Sequence, residues 1–189
     1  MQLLKSFIKV MIDTSEEELN IFSDQVIYKK FKRNELITKP NIYPNEIFFI
    51  TKGLIRVVIL DNEGIEHTIH FALENQFISD YSNFIQKTPS IYSLQAIEET
   101  EVYVLPRSAV EWGYKNMREG QKLGRLIAEY YFMYQDDRIS NMYSRTPKER
   151  YDNITNVFPN IHNRVPQHMI ASYLGITPIH LSRLKNPKV

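Results

Sequence analysis

The sequence predicts an α+β chain: a β jelly roll first, then one long helix, then a small helix-turn-helix. Three observations predict it. Short β-branched and aromatic runs, punctuated by Pro, Asn and Gly, fill the first hundred residues. From Glu119 to Tyr143 there is no proline, and apolar residues recur at helical spacing. Beyond Ser144, three helix starts come one after another, each with a proline at or beside its first turn: Thr146-Pro147, Val165-Pro166 and Thr177-Pro178. The expected boundaries are therefore 1–118, 119–143 and 144–189.

The elements are read in chain order. Ser15-Glu16-Glu17-Glu18 has the spacing of a capping box, so a short helix is expected from there to about Ser23. Strands are expected over Val26–Tyr28, Glu35–Thr38 and Glu46–Ile50, with turns at Pro40-Asn41 and Pro44-Asn45. The clearest hairpin joins Leu54–Leu60 to Ile65–Phe71 through Asp61-Asn62-Glu63-Gly64, where Gly64 suits a left-handed loop position. Two more strands are expected near Tyr92–Ile97 and Val102–Leu105. So many short strands at this spacing suggest a jelly roll or barrel. A helix containing Trp112 then opens at Arg107 or Ser108.

Composition excludes several function classes. The 189 residues are 43% hydrophobic, too apolar for wholesale disorder. No run approaches the roughly 18 apolar residues of a membrane helix. The N-terminal segment, interrupted by Lys5 and Lys9, makes a poor secretory leader, so a cytoplasmic protein with no membrane partner is expected. Zero cysteines leave no disulfide, thiolate metal site, iron–sulfur cluster or cysteine nucleophile. His67 and His70, three apart in a strand, are expected on opposite faces and not as a metal pair. Glu98-Glu99 reads as a solvated turn. No catalytic triad, phosphate loop or metal-ligand spacing stands out, so neither an enzyme nor a metalloprotein is expected.

The long helix has too much apolar surface for a helix with one neighbour. Leu123, Ile127, Tyr131 and Tyr134 share one face, and Leu126, Tyr130 and Met133 an adjacent one. Two stripes imply two partners: the β domain and a second copy of the helix. The alternative is a helix buried within its own monomer. The tyrosines fit either an interface or the wall of a ligand pocket.

At the C-terminal end, a helix starting at Val165-Pro166-Gln167-His168 and ended by Gly175, and one capped by Thr177 and running to Lys185, make a helix-turn-helix. Ala171 is the small residue such crossing helices need, and Ile170, Leu174, Ile176, Leu181 and Leu184 supply a shared core. Thr177, His180, Ser182, Arg183 and Lys185 are left to reach phosphates or base edges, with Gln167 at the start of the first helix. Charge supports this. Residues 1–105 sum to −5 and residues 106–189 to +6, with no acidic residue after Asp152. Arg164, Arg183, Lys185, Lys188 and three histidines all lie in that acid-free stretch, which suits a polyanion.

The order of these parts resembles the Crp/Fnr transcription regulators over nearly the whole chain. The best local matches are Val165–Pro178, similar to the variant of that family in Bacteroidetes-type bacteria, and Phe48–Val57, similar to its barrel segment. The resemblance implies a cyclic nucleotide-binding-like sensor, a homodimer held by the long helix, and DNA and RNA polymerase as partners. It also implies an effector pocket, placed at Phe71, Ile78, Ser79, Asp80, Ser90, Tyr92, Tyr130 and Tyr134.

This sequence departs from the family pattern. Phe77–Tyr81 and Thr88–Tyr92 stand where cyclic-nucleotide members carry Gly-Glu and Arg-Ser, so no arginine remains for a phosphate. An unidentified effector, or none, is expected in place of cyclic AMP. Pro178 and Ile179 replace the Arg-Glu pair of the recognition helix, and Arg183 alone matches. The few residues after that helix leave no room for the usual β wing, so a wingless reader is expected. A sensor or protein-interaction module that no longer reads DNA is the alternative.

Overall fold

The computed structural model describes residues 1–186, and its elements arise largely where the local signals lie. Helix α1 (Gln2–Met11) was not expected from the sequence; its apolar face buries Leu4 and Ile8 against the barrel end. Helix α2 (Glu16–Ser23) starts at Ser15 with both halves of a capping box in place. Eight strands come next: β1 (Ile27–Phe31), β2 (Leu36–Thr38), β3 (Glu46–Lys52), β4 (Ile55–Leu60), β5 (Glu66–Ala72), β6 (Phe77–Ile78), β7 (Tyr92–Ala96) and β8 (Thr100–Pro106). They form two antiparallel four-stranded sheets, ordered β1-β8-β3-β6 and β2-β7-β4-β5. The jelly roll expected from strand spacing is therefore present. Phe48, Ile50, Ile55, Leu94, Val102 and Val104 fill the space between the sheets.

The hairpin β4–β5 contains a β-bulge. Val57 pairs with His70 and Val58 with Thr68, leaving Ile69 as the extra residue. The strict alternation expected between His67 and His70 is therefore wrong, because the bulge shifts the phase by one. The two still part company: exposed His67 bonds Asp61 at 2.7 Å, whereas His70 is buried.

Helix α3 (Tyr81–Gln86) interrupts the strands, and α4 (Arg107–Asn116) leaves β8 directly. Helix α5 (Gly120–Ser144) then crosses α4 at two glycines. A Cβ on Gly120 would lie 1.9 Å from the Gly113 carbonyl oxygen, so nothing larger fits this crossing. Leu123, Ile127, Tyr131 and Tyr134 face the protein, as their spacing predicts. Of the second stripe, Leu126 packs partly inward, while Tyr130 and Met133 are exposed; Phe132, Ile139 and Tyr143 are exposed further round the helix, opposite the covered stripe. The helix thus has one covered stripe and exposed apolar residues on the sides that point away from the protein.

Helices α6 (Pro147–Val157), α7 (Ile161–Arg164), α8 (Gln167–Leu174) and α9 (Pro178–Lys185) complete the described chain. Thr146 makes the expected capping box, and Gly175 closes α8 in the left-handed conformation (φ +67°). Phe158, Ile161, Ile170, Ala171 and Leu181 form the helical core, and it is continuous with Leu54, Phe71, Leu73 and Ile97 of the barrel. The helix-turn-helix is therefore seated on the jelly roll. The expected lack of a wing concerns the segment after Asn186, which lies outside the described residues. Among the described residues, no helix is long and apolar enough to cross a membrane.

Candidate effector cavity and DNA-reading helix

A cavity of about 520 Å³ lies between α5 and the jelly roll. Strand β6 and the turn after it bring Phe77, Ile78, Ser79 and Asp80 to its wall, and β7 brings Tyr92. Helix α5 contributes Leu123, Ile127 and Tyr131, one turn apart on the inward stripe. Four of the eight residues expected at the pocket, namely Ile78, Ser79, Asp80 and Tyr92, therefore line it. The other four do not. Phe71 points to the helix-turn-helix, packing on Phe158 and Tyr173. Ser90 is buried beneath Asp80, Tyr130 is exposed on α5, and Tyr134 bonds Tyr173 at 2.9 Å. The α5 tyrosine that does line the cavity is Tyr131, whose hydroxyl donates to the Phe77 carbonyl.

Asp80 is occupied by structure. It caps α3, accepting from the Asn83 amide, and its other oxygen accepts from Ser90 at 2.6 Å and the Asn83 side chain at 2.7 Å. The sequence shows an Asp before Tyr-Ser-Asn, which is an N-cap signal as much as a ligand signal.

His70 was missed as a site residue. The bulge turns it, with Ile69, toward the cavity, where both residues form part of the wall. It is 5% exposed, and neither ring nitrogen has a hydrogen-bond partner. Its ring sits 4.6 Å from that of Tyr134 and 6.1 Å from that of Tyr131. Burial, with a smaller contribution from the charge of Arg138, lowers its pKa to about 3, so the ring is neutral at neutral pH. Burial also pushes the phenols of Tyr131 and Tyr134 up, keeping both protonated.

The helix-turn-helix divides its polar residues between two tasks. Helix α9 is capped by Thr177, whose hydroxyl accepts from the His180 amide at 3.1 Å. Thr177, His180, Ser182, Arg183 and Lys185 are all exposed along it. Gln167 is half-buried at the start of α8, and its side-chain oxygen is buried without a partner.

Other cations of the basic half turn inward. Arg138 donates to the Tyr173 carbonyl and lies over that ring, and Arg150 donates to the carbonyls of Leu174, Arg145 and Met142. Arg164 forks onto Glu74, at 2.7 and 3.1 Å, and also binds Glu98. Two sequence expectations are corrected here. Arg164 is paired with carboxylates and so does not serve a polyanion, and Glu98 belongs to that ion pair and not to a solvated turn. Burial works to raise the Glu74 carboxyl, but its bonds from Arg164 and the Gly53 amide hold it below the ordinary value. Close by, the Thr68 amide donates to Ser172 Oγ at 2.9 Å, tying β5 to α8.

Comparison with known proteins agrees with this architecture. Residues 28–116 match the cyclic nucleotide-binding domain family. No curated protein matches the sequence. Among solved structures, FixK2 from Bradyrhizobium japonicum superposes with a TM-score of 0.72 at 16% identity, covering 85% of this chain and 82% of its own. A protein from Eubacterium rectale, described as a candidate transcriptional regulator of the Crp/Fnr family, gives 0.70 at 16% identity, covering 90% and 81%. The c-di-GMP-responsive global regulator CLP from Xanthomonas campestris gives 0.69 at 10% identity, covering 90% and 89%. Residues 28–116 are thus similar to the cyclic nucleotide-binding domain family, and the chain as a whole has the fold seen in these regulators.

Proposed function

We propose that the chain is a homodimeric, DNA-binding transcription regulator whose barrel cavity holds a small effector. The observation that carries this reading is the exposed α9, which presents His180, Ser182, Arg183 and Lys185 on a helix-turn-helix with no carboxylate after Asp152. Phosphate contacts need such cations and suffer from acids. The exposed apolar residues of α5 support pairing with a second copy, which places two α9 helices for half-sites roughly one helical turn apart. Signal and reader share a wall, since β5 lines the cavity and also packs against α8. The reading places the protein in the cytoplasm with its DNA, and assigns it no catalytic role. Cyclic AMP does not fit this reading, because no Lys or Arg among the described residues lines the cavity.

Electrophoretic shift against pooled genomic fragments, at several salt concentrations, tests the reading. Arg183→Ala is expected to weaken binding by about tenfold, and more steeply at low salt. Unchanged affinity at matched salt would show that α9 is not the reader. A second reading is favoured by one observation: the helix-turn-helix is clamped to the barrel by Arg164, Glu74 and Glu98. On that reading the chain is a sensor or interaction module, and it shifts no DNA at any salt.

A further inference from the structure

We propose that the cavity beside α5 takes an uncharged, mainly apolar molecule bearing one hydroxyl- or amide-type head, and that His70 binds that head. The proposal rests on the cavity being the effector site and names the chemistry it selects. The size, about 520 Å³, falls within the roughly 300–1,000 Å³ range of small-molecule sites. Its walls are mainly aliphatic and aromatic, from Phe77 and Ile78 on one side to Leu123, Ile127 and Tyr131 on the other, with Ser79, Asp80, Ser82 and Gln135 among them.

Charge is unwelcome there. Among the described residues, no Lys or Arg lines the cavity, and the carboxylate that does, Asp80, already accepts from Ser90 and Asn83. An anionic ligand would be desolvated against apolar walls with no cation to meet it. Arg138, whose charge reaches His70, is committed to the Tyr173 carbonyl and ring. A cationic ligand would find one carboxylate whose lone pairs are largely taken.

Among the buried polar side chains of this wall, His70 has no partner. Both nitrogens of His70 are buried and unpartnered. A neutral imidazole offers one donor and one acceptor, and buried polar groups are otherwise almost always satisfied. A hydroxyl or amide can both give and accept, so it complements the ring in either tautomer. Occupancy would also be felt beyond the cavity. The ring packs against Tyr134 in a tilted arrangement, centroids 4.6 Å apart, and Tyr134 bonds Tyr173 of α8.

Three probes of matched shape test this on the full chain: 1-naphthol, naphthalene and 1-naphthyl phosphate, with binding measured by calorimetry and by intrinsic fluorescence. The expected order is 1-naphthol tighter than naphthalene by about tenfold, and tighter than 1-naphthyl phosphate or cyclic AMP by roughly a hundredfold. In His70→Phe the advantage of the hydroxyl is expected to fall to within about twofold, with naphthalene binding retained. Ala128→Phe, which fills the cavity from α5, is expected to lose every probe while circular dichroism shows a folded chain.

The proposal is overturned if the phosphate binds as tightly as the alcohol, or if the hydroxyl preference survives in His70→Phe. It is overturned equally if no neutral probe binds the folded chain up to its solubility limit. DNA binding is read separately. A chain that binds 1-naphthol but shifts no DNA loses the regulator reading and keeps this one, and the converse result does the opposite.

Discussion

Strand β5 separates two environments that treat polar groups in opposite ways. Outward, toward the helix-turn-helix, the Thr68 amide meets Ser172, and nearby Arg164 is forked between two glutamates; the Thr68 hydroxyl, one Arg138 nitrogen, His162 Nδ1 and the Gln167 side-chain oxygen are exceptions. Inward, toward the cavity, His70 has no partner at either nitrogen. Both sides are walled by aromatic rings, with Phe71 and Tyr173 outside, Tyr131 and Tyr134 against His70, and Phe158 touching both groups. Hydrophobic packing therefore does not distinguish them. The difference is that the docking contacts find partners within the chain, whereas the imidazole has none at either nitrogen. A contact made within the chain closes its hydrogen bonds, and a site waiting for something else leaves one open.

The inward side gives the largest expected effect, because it is a matter of burying a titratable ring. In the folded chain the pKa of His70 is depressed to about 3, against an ordinary value of 6.5. As pH falls below about 6.5 the unfolded chain takes up the proton first, so stability is lost from there down toward pH 3. The slope attributable to this ring approaches about 1.4 kcal/mol per pH unit, or a few kcal/mol by pH 4. Tyr131, Tyr134, Phe158 and the Arg138 charge surround the ring, and none of them offers the imidazolium a counter-charge. Urea unfolding at pH 7, 6 and 5 should show the wild type losing ground steadily against His70→Phe. Parallel losses would mean that water or a partner reaches the ring.

On the outward side, Arg164→Met removes the shared cation and leaves Glu74 and Glu98 facing one another, each about one-third exposed. The expected loss is about 2 kcal/mol, below the 3–5 of a fully buried pair because water partly screens these groups. Amide exchange in α8 should rise further than in β3 or β8, since the clamp holds the helices to the barrel and not the barrel together. Equal changes everywhere would show that the ion pair stabilises the whole fold and is not specific to the dock.

These two sides were not equally legible in the sequence. Helix starts such as Thr146-Pro147 and Thr177-Pro178, and the Gly64 loop, are local signals, and the chain obeys them. Strand β6 has two residues and α7 four, too short for any periodicity to register. The expected pocket named Tyr130 and Tyr134, but a one-residue step rotates a helical side chain by about 100°, and Tyr131 is the one on the wall. His70 was hidden by the bulge, since a period-two argument cannot see an inserted residue. Arg164 looked like a DNA cation because its partners, Glu74 and Glu98, lie far away in sequence and meet it only through the fold. The basic count thus overstated the basic surface by Arg164, while Arg183 and Lys185 are exposed as expected.

The smallest effect tests whether the dock acts as one unit. Ser172→Ala deletes the oxygen that accepts from the Thr68 amide, at the bulged part of β5 where the ladder is already interrupted. The amide is left without its protein partner, so the expected cost is about 1 kcal/mol, the upper part of the range being reached if water cannot enter. Combined with Arg164→Met, the two losses add if each contact holds α8 independently. If the ion pair is what brings Ser172 within reach, the second change costs less once the first is made, and the double variant falls short of the sum by at least about 0.5 kcal/mol. The cycle is read from urea unfolding of the four chains at pH 7, where His70 is largely neutral in both folded and unfolded states and drops out. Strict additivity would reduce the dock to two unrelated contacts, and the contrast between the faces of β5 would then rest on His70 alone.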